Sequence, residues 1–480
     1  MEKKLLESVY DAGDFRKRGH QLIDELADYL EATIQEKSPK VLQWNLPDFE
    51  HEFWKDYTKS GDEKTLFKEV LKHSTSVHHP KYIGHQISPT APITLLSGMV
   101  SALLNNGMAV YEMGMSANSI ERIITDLICK RIGYTTGSSG FLTSGGTLAN
   151  LTALLTARKA KVPHDVWNQG HTKPLGIMVS EEAHYCIERA AKIMGLGEKG
   201  IIKVPTTADY TIDTSKLETC YEEAKKNGIH VFALVGSAPS TATGIHDNLE
   251  ALADFSKKHN LWYHVDAAHG GAAIFSSIYK KALHGIEKSN STVIDGHKMM
   301  MMPGITTALL FKDDRDSYTT FSQKADYLLE QSTDREWYNS GKRTFECTKS
   351  MMCLHWYTLL KTYGEGVFDT FVTTLYDAGH AFGNTIQEDD EFELAVAPKS
   401  NIVCFRWCAP HLDSNALNKI NEGIRQQLLD DGEFYIVQTK LRGTHYLRIT
   451  IMNPFTTEDH LQKLLERIKK IAAQITSTIL

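Results

Sequence analysis

Short apolar runs alternate with stretches of helical periodicity between about residues 137 and 312. Many of these runs lack polar alternation, which is typical of strands covered on both faces. The runs predict strands at Leu175–Ser180, Ile201–Pro205, Val231–Ser237, Trp262–Ala268, Thr292–Asp295 and Thr307–Lys312. Strands that alternate with helices in this way predict an α/β domain with a parallel-rich central sheet.

The N-terminal part of the chain has a different pattern. Apolar residues recur at helical spacing from Phe15 to about Glu36, beside charged residues, and predict one amphipathic helix. A polar stretch with prolines follows, from Lys37 to about Lys81. We therefore place the first domain boundary near residue 80.

The C-terminal part differs again. Beyond Lys361 helices become fewer, and a final helix is predicted from Glu458. Three apolar runs lie between them, at Asn401–Trp407, Phe434–Lys440 and Tyr446–Met452. This pattern predicts a large α/β domain at residues 81–365 and a smaller α+β domain at residues 366–480.

Composition and charge limit the kind of partner. The 480 residues include 52 Lys and Arg against 59 Asp and Glu, a formal net charge of −7, and no basic run stands out. This balance argues against a nucleic-acid partner and against an anchor on an anionic membrane surface. We expect an enzyme that binds a small molecule.

The cysteines and the apolar stretches indicate in which cellular compartment the protein is located. The seven cysteines form no CxxC pair, and an odd number scattered over a long chain is not a disulfide framework. The first residues lack the apolar centre of a signal peptide, and the most apolar stretches are interrupted well short of a spanning length. We therefore expect a cytoplasmic protein.

The turn Ser144-Gly145-Gly146-Thr147 opens a predicted helix. Backbone N–H groups at the start of a helix lie at the positive end of its dipole and can bind a phosphate. The Thr147 hydroxyl would add a donor. Because Ser, Gly and Thr are also common in simple helix caps, the turn alone leaves a cap as the alternative.

Asp266 ends a buried apolar strand and is followed by small residues. A buried carboxylate is costly unless it meets a positive partner, and ligands of α/β sheets gather at such strand ends. A protonated pyridine nitrogen would meet this need, and Ala268 is small enough for a flat ring to lie close. An aspartate that caps a nearby helix is the alternative.

Lys298 follows another apolar strand, in the segment Asp295-Gly-His297-Lys298, and four methionines and a proline come next. Among these neighbours we expect the lysine to be desolvated, its pKa lowered and its amine made nucleophilic, with formation of an imine as its use. A lone lysine would more often be a solvated surface residue. The neighbouring His297 and the upstream Asp266 favour the catalytic interpretation.

His184 also comes directly after a predicted strand. A lone histidine is more often a core or capping residue than a catalytic one. Beside the other three segments, it becomes a ring that can stack on a planar cofactor.

The segments SGGTLAN, AHYCIERA, HVDAAHGG and DGHKMMMMP together resemble the signatures of the group II amino-acid decarboxylases, which depend on pyridoxal 5′-phosphate (PLP). The resemblance extends from the opening FRKRGHQLIDELADYLE to YLRITIMNPFTTEDHL near the end. It implies the aspartate aminotransferase-like fold (fold type I), PLP as cofactor, and a carboxy-lyase of amino-acid metabolism. It also implies a homodimer, in which residues 1–80 form an N-terminal helical dimerisation segment, and it implies no metal ion.

The resemblance assigns roles around the cofactor ring. Lys298 resembles the imine-forming lysine, and Asp266 resembles the partner of the pyridine nitrogen. Ala268 and His184 match the residues that pack on the two ring faces. The remaining cofactor contacts that the resemblance implies are Gly145, Gly146 and Thr147 in the phosphate turn, His297 at the phosphate, and Ser240 at the ring oxygen.

The resemblance also points to the reacting groups. Tyr327, in the segment Ala-Asp-Tyr-Leu, resembles the tyrosine of the catalytic loop that returns a proton to the α-carbon, with a structural tyrosine as the alternative. His85, Gln86 and Thr90 would line the substrate side. Their segment looks closest to the L-2,4-diaminobutyrate decarboxylase-like branch.

The expected reaction is decarboxylation of an L-amino acid to its amine and CO₂. L-2,4-diaminobutyrate or lysine is the substrate that the branch implies, and glutamate, aspartate or an aromatic amino acid are alternatives. Other PLP reactions on the same fold are aminotransfer, carbon–carbon lysis and oxidation to an aldehyde. A catalytically silent binding protein that keeps the fold is the alternative from another class.

Overall fold

A computed structural model describes residues 2–321 and 336–479. Contacts divide the chain into two units. One unit comprises residues 1–85, 389–393 and 405–480, and the other comprises residues 86–388 and 394–404. The three-part division expected at residues 80 and 365 stays a prediction.

Helices are spread over both units. The α-helices of the described ranges are α1 (Glu2–Val9), α2 (Ala12–Ile34), α3 (Pro47–Ser60), α4 (Leu66–Lys72), α5 (Pro92–Leu104), α6 (Tyr111–Ile132), α7 (Gly146–Lys161), α8 (Val166–Gln169), α9 (Tyr185–Ile193), α10 (Leu217–Lys226), α11 (Leu249–Lys258), α12 (Gly296–Met299), α13 (Arg315–Thr319), α14 (Cys353–Tyr363), α15 (Gly366–Gln387), α16 (Ser414–Asp431) and α17 (Glu458–Ile479). None of them combines the length and the apolar content that crossing a bilayer would require.

The strands form two sheets. They are β1 (Ser139–Thr143), β2 (Leu175–Ser180), β3 (Ile201–Val204), β4 (His230–Ser237), β5 (Trp262–Asp266), β6 (Ser291–Asp295), β7 (Thr307–Phe311), β8 (Phe392–Leu394), β9 (Ile402–Trp407), β10 (Val437–Leu441) and β11 (Thr444–Thr450). The six strands predicted between residues 175 and 312 are confirmed, with ends that differ by at most two residues.

The larger sheet has the strand order β1-β7-β6-β5-β4-β2-β3. Strand β7 runs antiparallel to both of its neighbours, and the other neighbouring pairs are parallel. In β1, β2, β5, β6 and β7 every residue is buried, since helices cover both faces. The expected α/β fold with a parallel-rich central sheet is confirmed.

The register aligns the ends of the central strands. Ser237, the last residue of β4, pairs with Asp266, the last residue of β5, and Asp266 in turn pairs with Val293 of β6. Helix α7 packs across β4, β5, β6 and β7. The carboxyl ends of the parallel strands and the start of α7 therefore meet at one edge of the sheet, where ligands of such sheets bind.

The smaller sheet has four strands in the order β10-β11-β9-β8. Strands β10 and β11 form an antiparallel pair, and α16 packs on β11 and on α17. Strands β9, β10 and β11 and the final helix from Glu458 were predicted from the sequence and are confirmed, whereas β8 was not predicted.

The segment from Lys37 to Lys81 is more ordered than the sequence prediction. It was expected to be a polar stretch, and it contains helices α3 and α4. The rings of Phe53 and His73 stack at 4.2 Å, and Glu50 accepts a hydrogen bond from His73 Nδ1 at 2.9 Å. Aromatic packing between the two short helices therefore stabilises a segment whose composition is mostly polar.

Candidate active site

A cavity of about 260 Å³ lies at the carboxyl edge of the larger sheet. It brings together most of the residues that the sequence singled out, from five separate segments of one unit. The cavity is lined by Ser144, Gly145, Gly146, Thr147, Asn150, His184, Cys186, Ser237, Pro239, Thr241, Asp266, Ala268, His269, Asp295, His297, Lys298 and Ile305.

Lys298 lies in the short helix α12, which begins directly after β6. Its Nζ is 3.1 Å from Oδ2 of Asp295, the buried last residue of β6. Burial disfavours the ammonium form, but the carboxylates of Asp295 and Asp266 outweigh it and raise the pKa of Lys298. The expectation of a lowered pKa was wrong, because the methionines that follow in the sequence do not decide the charge environment.

Asp266 is 9% exposed and has neutral partners. Its Oδ2 accepts a hydrogen bond from Asn150 Nδ2 at 3.2 Å, and its Oδ1 accepts one from the Ala268 backbone N–H at 3.2 Å. Burial raises the pKa of the Asp266 carboxyl, while the charges of Lys298 and His184 act against that rise. Asp266 thus lacks the close ion pair that Asp295 has.

His184 caps the N-terminus of α9. Its Nδ1 accepts a hydrogen bond from the backbone N–H of Cys186 at 3.3 Å, which fixes the plane of the ring. Burial lowers the pKa of His184, although the nearby Asp266 acts in the opposite direction. The cavity therefore presents a largely neutral imidazole on one wall.

The Gly145-Gly146 turn leads into α7 on another wall. Gly145 has φ +98°, a conformation that L side chains rarely adopt. A Cβ at Gly146 would lie 3.2 Å from Asp295 Oδ2 and 3.5 Å from the Ala268 methyl, so the backbone approaches these residues closely. The first N–H groups of α7 have no partner within the helix and border the cavity.

Glu346 holds this turn from outside the cavity. Its Oε1 accepts hydrogen bonds from the Thr143 hydroxyl at 2.7 Å, the Ser144 hydroxyl at 2.8 Å and the Ser144 backbone N–H at 3.1 Å. Burial acts to raise the pKa of Glu346, but these donors prevail and lower it. An anion thus stabilises the residues that enter the turn.

His297 lies at the same edge with a partly fixed ring. Its Nδ1 is 3.0 Å from the Thr306 carbonyl oxygen, and its Nε2 is 3.6 Å from Asp295 Oδ2. Its contact with a phosphate stays a prediction.

Ser240 and Thr241 occupy different positions relative to the cavity. The Ser240 hydroxyl donates to the Glu182 carbonyl at 3.1 Å, and the described lining residues include Thr241 rather than Ser240. The contact of Ser240 with a ring oxygen stays a prediction.

The expected substrate residues are not among the described residues that line the cavity. Gln86 and Thr90 belong to the same unit as the cavity, whereas His85 belongs to the other unit. Burial lowers the pKa of His85, and the positive charges of Arg448 and Arg425 act in the same direction. Tyr327 lies outside the described residues.

Sequence reasoning assigned no role to Asp295, Asn150, Thr241 or Glu346. Asp295 carried a usable signal, because it is an acid at the end of a buried strand, as Asp266 is. Asn150 lies one helical turn after Gly146 and so faces the same side of α7. Glu346 had no local signal, since its partner Ser144 is 202 residues away in the chain.

The chemistry of the cavity fits pyridoxal 5′-phosphate. The cofactor carries an aldehyde, a ring nitrogen that is cationic when protonated, and a phosphate. The amine of Lys298, the buried carboxylate of Asp266 and the first N–H groups of α7 are complementary to these three groups.

The chain is similar to decarboxylases over most of its length. An aspartate 1-decarboxylase of Aliivibrio fischeri is 26% identical over 478 residues, which cover 88% of this chain and 86% of that protein. An L-2,4-diaminobutyrate decarboxylase of Acinetobacter baumannii is 26% identical, over 86% of this chain and 84% of that protein.

Solved structures show the same fold. The glutamate decarboxylase domain of a diaminobutyrate-pyruvate transaminase and L-2,4-diaminobutyrate decarboxylase from Vibrio parahaemolyticus aligns with a TM-score of 0.81 and 26% identity, covering 94% of this chain and 96% of that chain. A tryptophan decarboxylase of Catharanthus roseus in complex with L-tryptophan aligns with a TM-score of 0.83 at 20% identity, covering 97% of this chain and 99% of that chain, which supports the fold alone.

The family model described as the pyridoxal-dependent decarboxylase conserved domain matches residues 55–408. This range includes the sheet, the cavity and the lysine that follows β6. Since the match covers well over half of the sequence, the chain belongs to the group II PLP-dependent amino-acid decarboxylases, the carboxy-lyases that use pyridoxal 5′-phosphate to remove the carboxylate of an amino acid as CO₂.

Proposed function

We propose that this enzyme decarboxylates L-2,4-diaminobutyrate or lysine, with Lys298 as the residue that bonds to the cofactor. The observation that carries the site is the convergence of a lysine amine, a buried carboxylate, an imidazole and a glycine-rich helix start on one cavity. When bound, pyridoxal 5′-phosphate supplies a conjugated acceptor for the electron pair that remains when CO₂ leaves.

Asp266 and the α7 turn hold the two ends of the cofactor in this proposal. The Asp266 carboxylate keeps a proton on the ring nitrogen, because a buried anion is most stable beside a cation. The N–H groups at Gly146 and Thr147 bind the phosphate at the positive end of the helix dipole. His297 adds a donor at the same end, and a hydroxyl of the Ser240-Thr241 pair contacts the ring oxygen.

Two residues that line the cavity would hold the cofactor ring. His184, whose Nδ1 accepts from the Cys186 N–H, would pack on one face, and the methyl group of Ala268 would pack on the other. Residues that restrict the ring in this way would orient the substrate for loss of CO₂ rather than loss of the α-proton.

Asp295 and Tyr327 act on the two protons of the proposed reaction, one at the lysine amine and one at the α-carbon. Asp295, at 3.1 Å from Lys298 Nζ, stabilises the ammonium whenever the amine is free. Tyr327, from its place in the family pattern, donates the proton that the α-carbon takes up after CO₂ leaves.

Relatives motivate the choice of substrate. L-2,4-diaminobutyrate decarboxylases appear among the relatives and among the solved structures, at 26% identity in each case. Aspartate is the second candidate, because an aspartate 1-decarboxylase is equally identical over 88% of the chain.

A panel of amino acids tests the function directly. Release of CO₂ would be measured for diaminobutyrate, lysine, aspartate, glutamate, cysteine sulfinate and aromatic amino acids. We expect the highest kcat/KM for diaminobutyrate. A highest value for aspartate would replace the first candidate with the second, and no CO₂ release from any of them would favour the catalytically silent binding protein.

We also infer that the enzyme is a homodimer that pairs through helix α5 as well as through the N-terminal segment expected at residues 1–80. The polarity of the two faces of this helix is the reverse of that of an ordinary surface helix. Its buried residues are Thr94 and Ser97, whereas its exposed residues are apolar. The exposed side chains are Leu95, Leu96, Met99, Val100, Leu103 and Leu104. Leu103 alone is 73% exposed. A second copy of the chain would bury this apolar face, as closed symmetric dimers do.

Sedimentation of single variants tests the dimer. Val100→Glu and Leu103→Glu should sediment as monomers, because a carboxylate in an apolar interface is costly. Ile193→Glu, at an exposed apolar position on α9, is the matched control and should stay dimeric. A wild-type protein that sediments as a monomer would contradict the inference.

We further infer that the protein works in the reducing cytoplasm, because its seven cysteines are free of disulfides.

A further inference from the structure

A buried chain of hydrogen bonds leads from Trp262, the first residue of β5, to Asp266, the last residue of the same strand. Trp262 Nε1 is 2.9 Å from Ser291 Oγ, and Ser291 Oγ is 2.8 Å from His264 Nδ1. His264 Nε2 is 2.7 Å from Asn150 Oδ1, and Asn150 Nδ2 is 3.2 Å from Asp266 Oδ2. Each of these side chains is at least nine-tenths buried.

The two ends of the chain together set its direction. An indole N–H can only donate, so the Ser291 oxygen accepts from Trp262 and its single proton is free to point to His264. The Asn150 oxygen faces His264 and the Asn150 nitrogen faces Asp266, so the one proton of a neutral His264 ring lies on Nε2 and Nδ1 accepts from Ser291. Nε2 donates that proton to the Asn150 oxygen.

The last link has an independent support. Asn150 Nδ2 lies near two acceptors, Asp266 Oδ2 at 3.2 Å and Cys186 Sγ at 3.4 Å. The opposite amide orientation would put the Asn150 oxygen against the Asp266 carboxylate. The amide nitrogen therefore faces Asp266, and the amide oxygen faces His264 Nε2.

We propose that Trp262, Ser291 and His264 are positioning residues that lock the Asn150 amide, so that every hydrogen bond of the chain donates toward Asp266 and keeps it an anion for the cofactor nitrogen. This inference rests on the proposed role of Asp266. The three residues act through Asn150, and none of them lines the cavity among the described residues.

Burial makes such a chain necessary. Removal of water raises the pKa of Asp266, which favours the neutral acid. A neutral acid would compete with the cofactor nitrogen for the proton instead of stabilising it there. Burial also lowers the pKa of His264 to about 3, so this ring stays neutral and keeps one donor and one acceptor.

The tautomer of His264 gives the first test. Nitrogen NMR of the holoenzyme with isotope-labelled histidine, with the signal assigned by comparison with Asn150→Ser and Ser291→Ala, should show a neutral ring protonated at Nε2 between about pH 5 and pH 8. A ring protonated at Nδ1, or an imidazolium, would overturn the inference.

Kinetics and cofactor release give the second test. In Trp262→Phe and Ser291→Ala the chain loses a hydrogen bond that orders the Ser291 hydroxyl or the His264 ring, so kcat should fall about tenfold or more, as for a lost hydrogen bond to a charged group, while KM stays within about twofold. Release of cofactor from the holoenzyme into a scavenger should become faster. Ser291→Cys, which keeps a donor, should recover part of the loss.

Thr292→Val is the matched control. Thr292 is adjacent to Ser291 and fully buried, but its hydroxyl contacts Tyr134 and Ser289 instead of the chain. If Thr292→Val lowers kcat as much as Ser291→Ala does, the effect is one of packing and the inference is wrong.

The two tests separate this inference from the proposed function. The His264 tautomer and the rate of cofactor release do not depend on which amino acid reacts. An Nε2-protonated ring in a protein without decarboxylase activity would leave the chain intact and reject the proposed function. An enzyme that releases CO₂ but has a His264 ring protonated at Nδ1 would support the proposed function and reject this inference.

Discussion

Strands β5 and β6 each end in a buried aspartate, and the two carboxylates have different partners. Asp295, at the end of β6, is 1% exposed in its side chain and meets the Lys298 ammonium at 3.1 Å. The Thr307 hydroxyl donates to its other oxygen at 2.5 Å. Asp266, at the end of β5, receives one amide N–H and one backbone N–H.

The difference separates a satisfied charge from a charge that still requires a cation. Asp295 has its counterion within the chain, so its charge is compensated before any ligand binds. Asp266 has neutral donors, which stabilise an anion only in part. Two similar sequence signals, an acid after a buried strand, thus correspond to a partner for the lysine and a proposed partner for the cofactor.

The largest expected effect is from removal of the lysine. Lys298→Ala should lose covalent attachment of the cofactor, and its kcat should fall by about a thousandfold or more, because the amine that bonds to the cofactor is gone. Borohydride reduction followed by peptide mapping checks this. The cofactor should be fixed to Lys298 in the wild type, and label on another lysine would show that the comparison of the two acids concerns the wrong site.

Asp266→Asn should come next. The amide cannot stabilise a protonated ring nitrogen, so we expect kcat to fall by roughly a hundred- to a thousandfold. The cofactor-free variant should unfold at a temperature equal to or above that of the wild type, because a costly buried carboxylate is removed. Calorimetry and steady-state kinetics together measure both effects. A lower unfolding temperature with unchanged kcat would mean that Asp266 is a structural cap.

Asp295→Asn should act on the pH dependence. The two carboxylates hold the pKa of Lys298 above its ordinary value, so removal of one should lower that pKa. The reaction of the cofactor-free protein with PLP needs the free amine, and its rate should therefore reach its maximum at a lower pH than in the wild type.

Thr307→Val is the control for this shift. It removes the hydroxyl that donates to Asp295 and keeps the carboxylate charge, so its pH profile should stay close to that of the wild type. A profile of Asp295→Asn that is superimposable on the wild type would show that Asp295 does not control the charge of Lys298.

Glu346→Gln should have the smallest effect. The amide keeps the shape and weakens three charge-assisted hydrogen bonds to Thr143 and Ser144, so the turn into α7 is held less firmly. We expect cofactor affinity to fall about tenfold, with kcat of the saturated enzyme within about twofold of the wild type. Titration of the cofactor-free protein with PLP measures the affinity, and an unchanged value would contradict the role of Glu346 as an anchor of the turn.

Local signals explain what could be predicted. Strand β2 was predicted with both ends correct, because a fully buried strand has a continuous apolar run with polar residues on each side. Helices α3 and α4 were missed, because their stabilising contacts are between aromatic and histidine side chains in a mostly polar stretch. The pKa of Lys298 was predicted in the wrong direction, because the methionines are near in sequence and the second carboxylate is near only in space.

By itself, the sequence determined the α/β class, six strands of the larger sheet and the family, and it singled out the lysine, acid, histidine and glycine turn that line the cavity. These depend on residue type and short-range pattern, which folding does not change. Tertiary structure alone decided that Asp295 pairs with Lys298, that Asn150 and His264 support Asp266, and that Glu346 holds Ser144. Such partners come from distant parts of the chain, and a hydrogen bond of about 3 Å depends on the packing of the whole sheet rather than on local sequence.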